Sequence, residues 1–232
     1  KFKNGEENIQ NHIENRFRDI GYTVKSKILY ASDFGVPQRR NRLFIVGNRN
    51  GIDFEFPKEF DYSVSVDEAI SDLPVLGNGE IQMKGEYTVP FEQASPYAQL
   101  MRKKSKAPTQ NIVSRNKDYV VERYKYIGQG ENWSSIPDRL MENYADKKRC
   151  HSGIYKRLIG GKPSVVISNY RKSMLIHPHQ DRGLSVREAA RLQSFPDHFI
   201  FEGPVSYVQQ QIGNAVPPLL AKAVMKKILT YK

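Results

Sequence analysis

Regular helix and strand patterns stand at the two ends of this 232-residue chain, and a long middle stretch lacks them. Apolar residues recur at helical spacing from Ile9 to Ile20, and Gly21 is placed to end that helix. Residues 23–31 alternate as a strand does. Residues 42–47 predict a second strand, which contains a continuous apolar run typical of burial on both faces. This order of elements predicts an α/β fold.

Two capping boxes mark further helices, because a serine is followed three residues later by a glutamate. They begin at Ser65 and Ser185, and they predict a short helix to about Leu73 and another over residues 186–194. A turn over residues 212–218 then leads into a last helix with an apolar face. Helical structure is therefore expected on both sides of the middle stretch.

Residues 74–180 are rich in Pro, Gly, Asn, Ser and Tyr, and their strand-like runs, such as residues 164–167, are short. This pattern predicts an irregular, β-containing module with long loops, which in compact domains usually carry function. We expect residues 1–73 and 181–232 to build one α/β domain together, with the middle stretch inserted as a separate lobe.

The positive charge of the chain is concentrated in the middle stretch. The whole chain has 36 Lys and Arg against 25 Asp and Glu, a formal net charge of +11. Residues 101–180 contain 17 basic and 6 acidic residues, so they hold all of this excess. A basic segment between neutral flanks indicates a partner that is a polyanion, most often nucleic acid. On charge alone, a solvated lysine-rich face without a partner is the alternative.

Several classes of protein are excluded by simple counts. The single cysteine, Cys150, leaves no internal disulfide framework and no cysteine-cluster metal site. The sequence has no apolar run of 18 residues and no signal peptide, so we expect no membrane span and a reduced, cytoplasmic location. His177 and His179 have no third ligand beside them, so no metal site is expected.

Gln38, Arg40 and Arg42 form a Gln-x-Arg-x-Arg motif, which resembles the core of the eighth signature block of the DNA (cytosine-5)-methyltransferases. Residues 182–197 are similar to the ninth block and residues 213–218 to the tenth, in the order that the family has. The resemblance implies the C-terminal part of a Rossmann-like methyltransferase domain, and it makes residues 74–180 an inserted target recognition domain.

Three other blocks of that family have no match in the sequence. They are the Gly-rich loop that holds S-adenosylmethionine, the Pro-Cys dipeptide with the nucleophile, and the block with a glutamate that contacts cytosine. Cys150 follows Arg149 rather than proline, so we interpret it as a bystander thiol. The resemblance thus implies the C-terminal half of an enzyme, from a split or truncated gene, which is inactive without an N-terminal half carrying the nucleophile.

The resemblance also implies roles for five residues. In that family a cysteine thiolate adds to C6 of a flipped cytosine, and C5 then attacks the methyl group of S-adenosylmethionine. Arg42 would reach the cytosine O2, where a guanidinium stabilises developing charge. Gln38 and Arg40 would contact phosphate or brace the interior. Asn214 and Ala215 would line the S-adenosylmethionine pocket, a plain helix-entry turn being the alternative.

Candidate DNA contacts lie in the middle stretch, where basic, amide and aromatic side chains alternate. Asn169 and Arg171 are the candidates for reading base edges, and Arg157, Tyr170 and Lys172 are candidates for other contacts with DNA.

Two other functions stay open from the sequence. One is a non-catalytic DNA-binding relic, and the other is a fragment of an enzyme of the same fold that methylates tRNA cytosine. The long basic insert favours duplex DNA. We therefore expect cytosine methylation on nucleoid DNA, in a bacterial restriction–modification system.

Overall fold

A computed structural model describes residues 3–4, 7–142, 151–168, 170, 172 and 174–231. The strands of these residues are β1 Lys3–Asn4, β2 Glu7–Asn8, β3 Thr23–Tyr30, β4 Asn41–Asn48, β5 Ile81–Lys84 and β6 Thr109–Ile112. The α-helices are α1 Ile9–Asp19, α2 Val66–Ile70, α3 Pro96–Arg102, α4 Asp118–Tyr124, α5 Val186–Leu192, α6 Val205–Asn214 and α7 Pro218–Leu229. The described strands form three antiparallel pairs, β1 with β2, β3 with β4 and β5 with β6.

Strands β3 and β4 lie between helices α1 and α7. The strands pair over their whole length, from Thr23 opposite Asn48 to Tyr30 opposite Asn41. Ser26 bonds to α1, whereas Leu29 packs in a cluster with residues of α7. Since positions 26 and 29 point to opposite faces of a strand, one helix covers each face. We call α1, β3, β4 and α7 the hairpin unit.

The strand predicted over residues 42–47 is β4, and it was expected to be buried on both faces. That expectation is wrong for the described part of the chain. On the α1 face, the side chains of Ile28 and Leu43 are 50% and 42% exposed. The reason is that β3 and β4 pair only with each other among the described residues, and α1 itself has no buried residue. Residues of α7 pack against one face of the β3–β4 pair, whereas α1 covers the other face incompletely.

A second packed region surrounds the largest hydrophobic cluster, which runs from Val64 to Ile212 and joins α2, α3, α5 and α6. We call residues 64–214 the insert unit. The domain limits after residue 73 and before residue 181 stay a prediction. The core cluster crosses both limits, since Ile70, Leu158 and Leu192 all belong to it.

Regular structure is sparse in the middle stretch, as the composition predicts. Besides β5 and β6 there are isolated bridges, one of which joins Ser164 to Gln38. The strand-like run over residues 164–167 forms no strand of its own. The second capped helix begins where expected, because the side chains of Ser185 and Glu188 bond to each other's backbone.

Helix α6 is the element that the sequence did not indicate. The expected turn at residue 212 is the last part of this helix, which ends at Asn214. Its start, after Pro204, has no side-chain cap. Burial of Val208 and Ile212, one turn apart, stabilises it instead.

No helix in the described part of the chain is long and apolar enough to cross a membrane.

Candidate functional site

Gln38 connects two distant parts of the chain. Its Nε2 donates to the Leu192 carbonyl at 3.1 Å, and its Oε1 accepts from the Ile167 amide at 3.0 Å. The side chain is fully buried. The donor and the acceptor of the Gln38 side-chain amide are therefore both bonded inside the protein.

Arg40 lies beside Gln38 and is also buried. Its guanidinium donates to the Ile167 carbonyl at 3.1 Å and to the Gly213 carbonyl at 2.6 Å. A buried guanidinium aimed at main-chain carbonyls has no surface on which to meet a base or a phosphate. Of the two roles open for Gln38 and Arg40, the geometry supports internal bracing, and we correct their place among the catalytic candidates accordingly.

A close backbone contact completes this junction. A Cβ on Gly213 would overlap the Ser168 carbonyl, so only glycine fits this turn of α6. Gln193 adds a bond from its Nε2 to the Ile212 carbonyl at 2.7 Å. The three stretches that resemble signature blocks thus meet around residues 167–168. We call Gln38, Arg40, Ile167, Leu192 and Gly213 the junction.

Arg42 differs from Arg40 although only one residue separates them. It is half-buried on β4, and its guanidinium Nη1 donates a hydrogen bond to the Asn41 carbonyl at 2.9 Å. Partial burial lowers the pKa of Arg42 from its ordinary value. Within the part of the chain that the structure describes, the other guanidinium donors of Arg42 have no partner and are open to a ligand at the surface.

Asn214 and Ala215 stand between the last turn of α6 and the start of α7. Asn214 is exposed and Ala215 is half-buried. Among the described residues, the side-chain amide of Asn214 has no hydrogen-bond partner. A free amide beside a helix end can bind a polar amino-acid or ribose group.

A basic groove opens next to the junction and was missed by sequence reasoning. Two adjoining cavities of about 210 and 290 Å³ share Lys156 and Val165. Arg39 and Lys162 line the first, and the exposed Val166 lines the second. We call these five residues the groove. One signal in the sequence pointed to it, since Arg39 alternates with the inward-facing Gln38 and Arg40.

Of the predicted DNA contacts, Arg157 and Tyr170 are wrong in this structure. The guanidinium of Arg157 is buried and bonds to the carbonyls of Tyr124, Ile127, His177 and Gln180 and to the Asp181 carboxylate. Tyr170 is buried in the main core, where desolvation raises the pKa of its hydroxyl. Both side chains complete the interior of a loop-rich lobe.

Lys172 is exposed, and its contact with DNA stays a prediction. Asn169 and Arg171, the candidates for base readout, lie outside the described residues, as does Cys150.

Buried ion pairs account for part of the arginine content. Arg191 bonds to Asp72 at 2.8 Å and to Asp197 at 2.6 Å. Burial alone would lower the pKa of Arg191, but these two carboxylates raise it above its ordinary value. These groups hold α2 and α5 together and are not available to nucleic acid.

A second buried pair joins Arg182 to Glu188 at 2.7 Å, with the His177 Nε2 3.7 Å from the same carboxylate. Burial would raise the pKa of Glu188, but Arg182, together with His177 and the backbone N–H of Ser185, lowers it to about 2. Burial lowers the pKa of His177 to about 4. The described residues contain no group of three His, Cys, Asp or Glu that could hold a metal ion.

The junction brings together the three stretches that resemble signature blocks, over residues 38–42, 182–197 and 213–218. A family model for C-5 cytosine-specific DNA methylases matches residues 2–230. The chain therefore belongs to the C-5 cytosine-specific DNA methylase family.

Several curated relatives are type II methyltransferases. The chain is 35% identical to M1.HphI of Haemophilus parahaemolyticus over 94% of its own length and 50% of the relative's. It is 33% identical to M.DdeI of Desulfomicrobium norvegicum over 96% of its own length and 58% of the relative's. The chain thus spans about half the length of the curated relatives it matches.

Two solved structures have a fold similar to that of this chain. A prophage-encoded DNA modification methyltransferase of E. coli matches 96% of this chain and 64% of its own, with a TM-score of 0.66 at 23% identity. The Entamoeba histolytica methyltransferase EhMeth matches 97% of this chain and 59% of its own, with a TM-score of 0.53 at 12% identity.

Proposed function

We propose that this chain is the C-terminal, DNA-recognising half of a bacterial DNA cytosine-5 methyltransferase. With an N-terminal half it would transfer a methyl group from S-adenosylmethionine to C5 of a flipped cytosine, as part of a restriction–modification system on nucleoid DNA. The family match over residues 2–230, with its three block-like stretches meeting at one junction, is the observation that carries the proposal.

Arg42 is the proposed catalytic residue of this half. Its free donors would bond to the cytosine O2 and stabilise the charge that develops when the nucleophile adds to the ring. Arg40 would act as a positioning residue, because its two bonds at the junction hold the start of β4.

The residues after α6 fit part of an S-adenosylmethionine site. The exposed, unpartnered amide of Asn214 and the backbone at Ala215 would hold a polar part of the cofactor. When bound, S-adenosylmethionine supplies the methyl group. Asn214 and Ala215 would fix the position of the cofactor relative to Arg42.

The exposed face of the hairpin unit is the proposed contact with the N-terminal half. Ile28, Tyr30 and Leu43 lie on this face and are 42–53% exposed. An isolated two-stranded sheet is only marginally stable, and exposed apolar patches mark interaction sites. The match covers 50% of the length of M1.HphI, so that relative has further chain outside the matched part.

The groove is the proposed DNA surface near the junction. Arg39 and Lys162 are exposed cations, and Val165 and Val166 offer apolar surface between them. Cations of this kind bind phosphates and make affinity depend on salt. Lys172 would extend the basic surface beyond the groove.

DNA binding is tested with the whole chain and a fluorescent duplex, by anisotropy at several salt concentrations. We expect affinity to fall steeply with salt, and the double variant Arg39→Gln/Lys162→Gln to lower the salt slope by about 2. Lys84→Gln on β5, outside the groove, is the matched control and should leave the slope unchanged.

Two results would overturn this part of the proposal. One is equal binding by the double variant and the wild type, which would remove the groove from the interface. The other is a clear preference for tRNA over duplex DNA in a competition assay, which would favour the tRNA-directed alternative.

A further inference from the structure

A separate pocket lies on the side of α7 that faces α3. Its volume is about 410 Å³, which is within the range of small-molecule sites. Phe34 and Tyr97 form its buried wall, and Leu100, Leu219 and Ala223 complete an apolar lining. None of its lining residues belongs to the groove or to the proposed cofactor site. This pocket is therefore not used by the proposed function.

Two aromatic side chains stand at the mouth of this pocket. Phe60 and Tyr62 have parallel rings with centroids 5.3 Å apart, and they are 46% and 56% exposed. The Tyr62 hydroxyl lies over Gly35, whose left-handed φ of 74° turns the backbone aside there. Exposed aromatic rings beside an apolar cavity offer surface to a flat apolar group.

The charged groups of the pocket favour an anion. Lys222 and Lys226 lie one turn apart on α7, are exposed, and have no ion-pair partner among the described residues. Lys227, on another face, is paired with Glu55 at 3.7 Å. The acidic lining residue, Glu68, is occupied by the amide and hydroxyl of Ser65 in the capping box.

We propose that this pocket binds a small amphipathic organic anion. Its flat apolar body would fill the space lined by Phe34, Tyr97 and Leu100, and its acidic group would meet Lys222 and Lys226. The walls come from both the hairpin unit and the insert unit, so the bound anion would hold the two units in one arrangement. The site is independent of methyl transfer.

The test uses the whole folded chain and the fluorescent probe 8-anilinonaphthalene-1-sulfonate, with the uncharged N-phenyl-1-naphthylamine as its partner probe. We expect one saturable site for each probe. The double variant Lys222→Gln/Lys226→Gln should weaken binding of the sulfonate about fivefold or more and leave the uncharged probe unaffected. Lys227→Gln is the matched control and should change neither.

A second variant tests the cavity itself. Leu100 is 44% exposed on α3, so Leu100→Trp should be tolerated, with unchanged circular dichroism and melting temperature, and should block both probes. Arg39→Gln/Lys162→Gln should not alter binding of the sulfonate. Sulfonate affinity that is unchanged in the lysine double variant, or that persists in folded Leu100→Trp, would overturn the proposal.

Discussion

The insert unit and the hairpin unit differ in how completely each buries its own side chains. The main core of the insert unit has 19 buried hydrophobic residues, and its buried arginines are paired with carboxylates and carbonyls. The hairpin cluster has six, and α1 has none. The difference is that the insert unit buries its apolar and charged side chains within itself, whereas the hairpin unit leaves apolar side chains exposed on one face.

The largest loss of stability is expected when the buried arginine of an ion-pair network is removed. Arg191→Met leaves Asp197 buried without a counter-charge and leaves Asp72 with Arg102 alone, at 3.4 Å, so we expect the free energy of unfolding to fall by about 3–5 kcal/mol in urea titrations. Arg139→Met removes an exposed arginine of the same unit and should cost less than about 0.5 kcal/mol. Equal losses would contradict the closed network.

The next effect tests the close contact between α6 and the middle stretch. Gly213→Ala places a methyl group against the Ser168 carbonyl and should destabilise the chain by about 3 kcal/mol. Gly161→Ala, with no atom within 4 Å of the new methyl group, is the control. Wild-type thermal stability of Gly213→Ala would show that α6 and the middle stretch do not make this contact.

Arg40, which is buried, and Arg42, which is partly exposed, allow the two kinds of site to be compared directly. Arg40→Met loses two buried bonds and should reduce the free energy of unfolding by about 2 kcal/mol, whereas Arg42→Met should change it by less than about 0.5 kcal/mol. For methyl transfer, measured with an N-terminal half present, Arg42→Met should be at least about tenfold slower. Wild-type turnover of Arg42→Met would remove Arg42 from the reaction.

The open face of the hairpin unit gives a smaller effect. Ile28→Ser/Leu43→Ser should weaken association with an N-terminal half by about tenfold, measured by analytical ultracentrifugation, because apolar area no longer becomes buried. Lys25→Ser/Lys27→Ser, on the other face of β3, is the control pair. Unchanged association of the first variant would place the contact elsewhere.

The smallest effect concerns pH. The pKa of His177 is about 4 in the folded chain, below its ordinary value of 6.5, so the unfolded chain binds more protons between these values. This contribution to stability is complete well above pH 6.5 and should fall by about 1 kcal/mol between pH 6.5 and 5.5, with further loss down to about pH 4. His177→Gln should remove this loss, and His198→Gln, at an exposed site, should keep it.

The sequence predicted the elements whose signals are local. The capping boxes at Ser65 and Ser185 and the alternation of β3 each depend on neighbouring residues, and they are found in the structure. Helix α6 depends on burial against a distant segment, so its sequence carries no start signal. The same limit applies to burial of β4, which is decided by what covers it.

The candidate site divides in the same way. A motif indicates that Gln38, Arg40 and Arg42 belong together, but it does not say which side chains turn inward. That depends on the carbonyls of Ile167 and Gly213, more than 120 residues away. Arg157 was misassigned for this reason, since a basic residue in a basic segment looks the same whether it binds DNA or the carbonyls of its own loops.

The most direct measurement concerns methyl transfer by two halves. The chain is mixed with a candidate N-terminal half, made from the part of M1.HphI outside its match to this chain, and duplex DNA is assayed for labelled 5-methylcytosine from S-adenosylmethionine. We predict label with the mixture and none with either half alone. Label with this chain alone, or none from a mixture in which the two halves form a complex, would contradict the account.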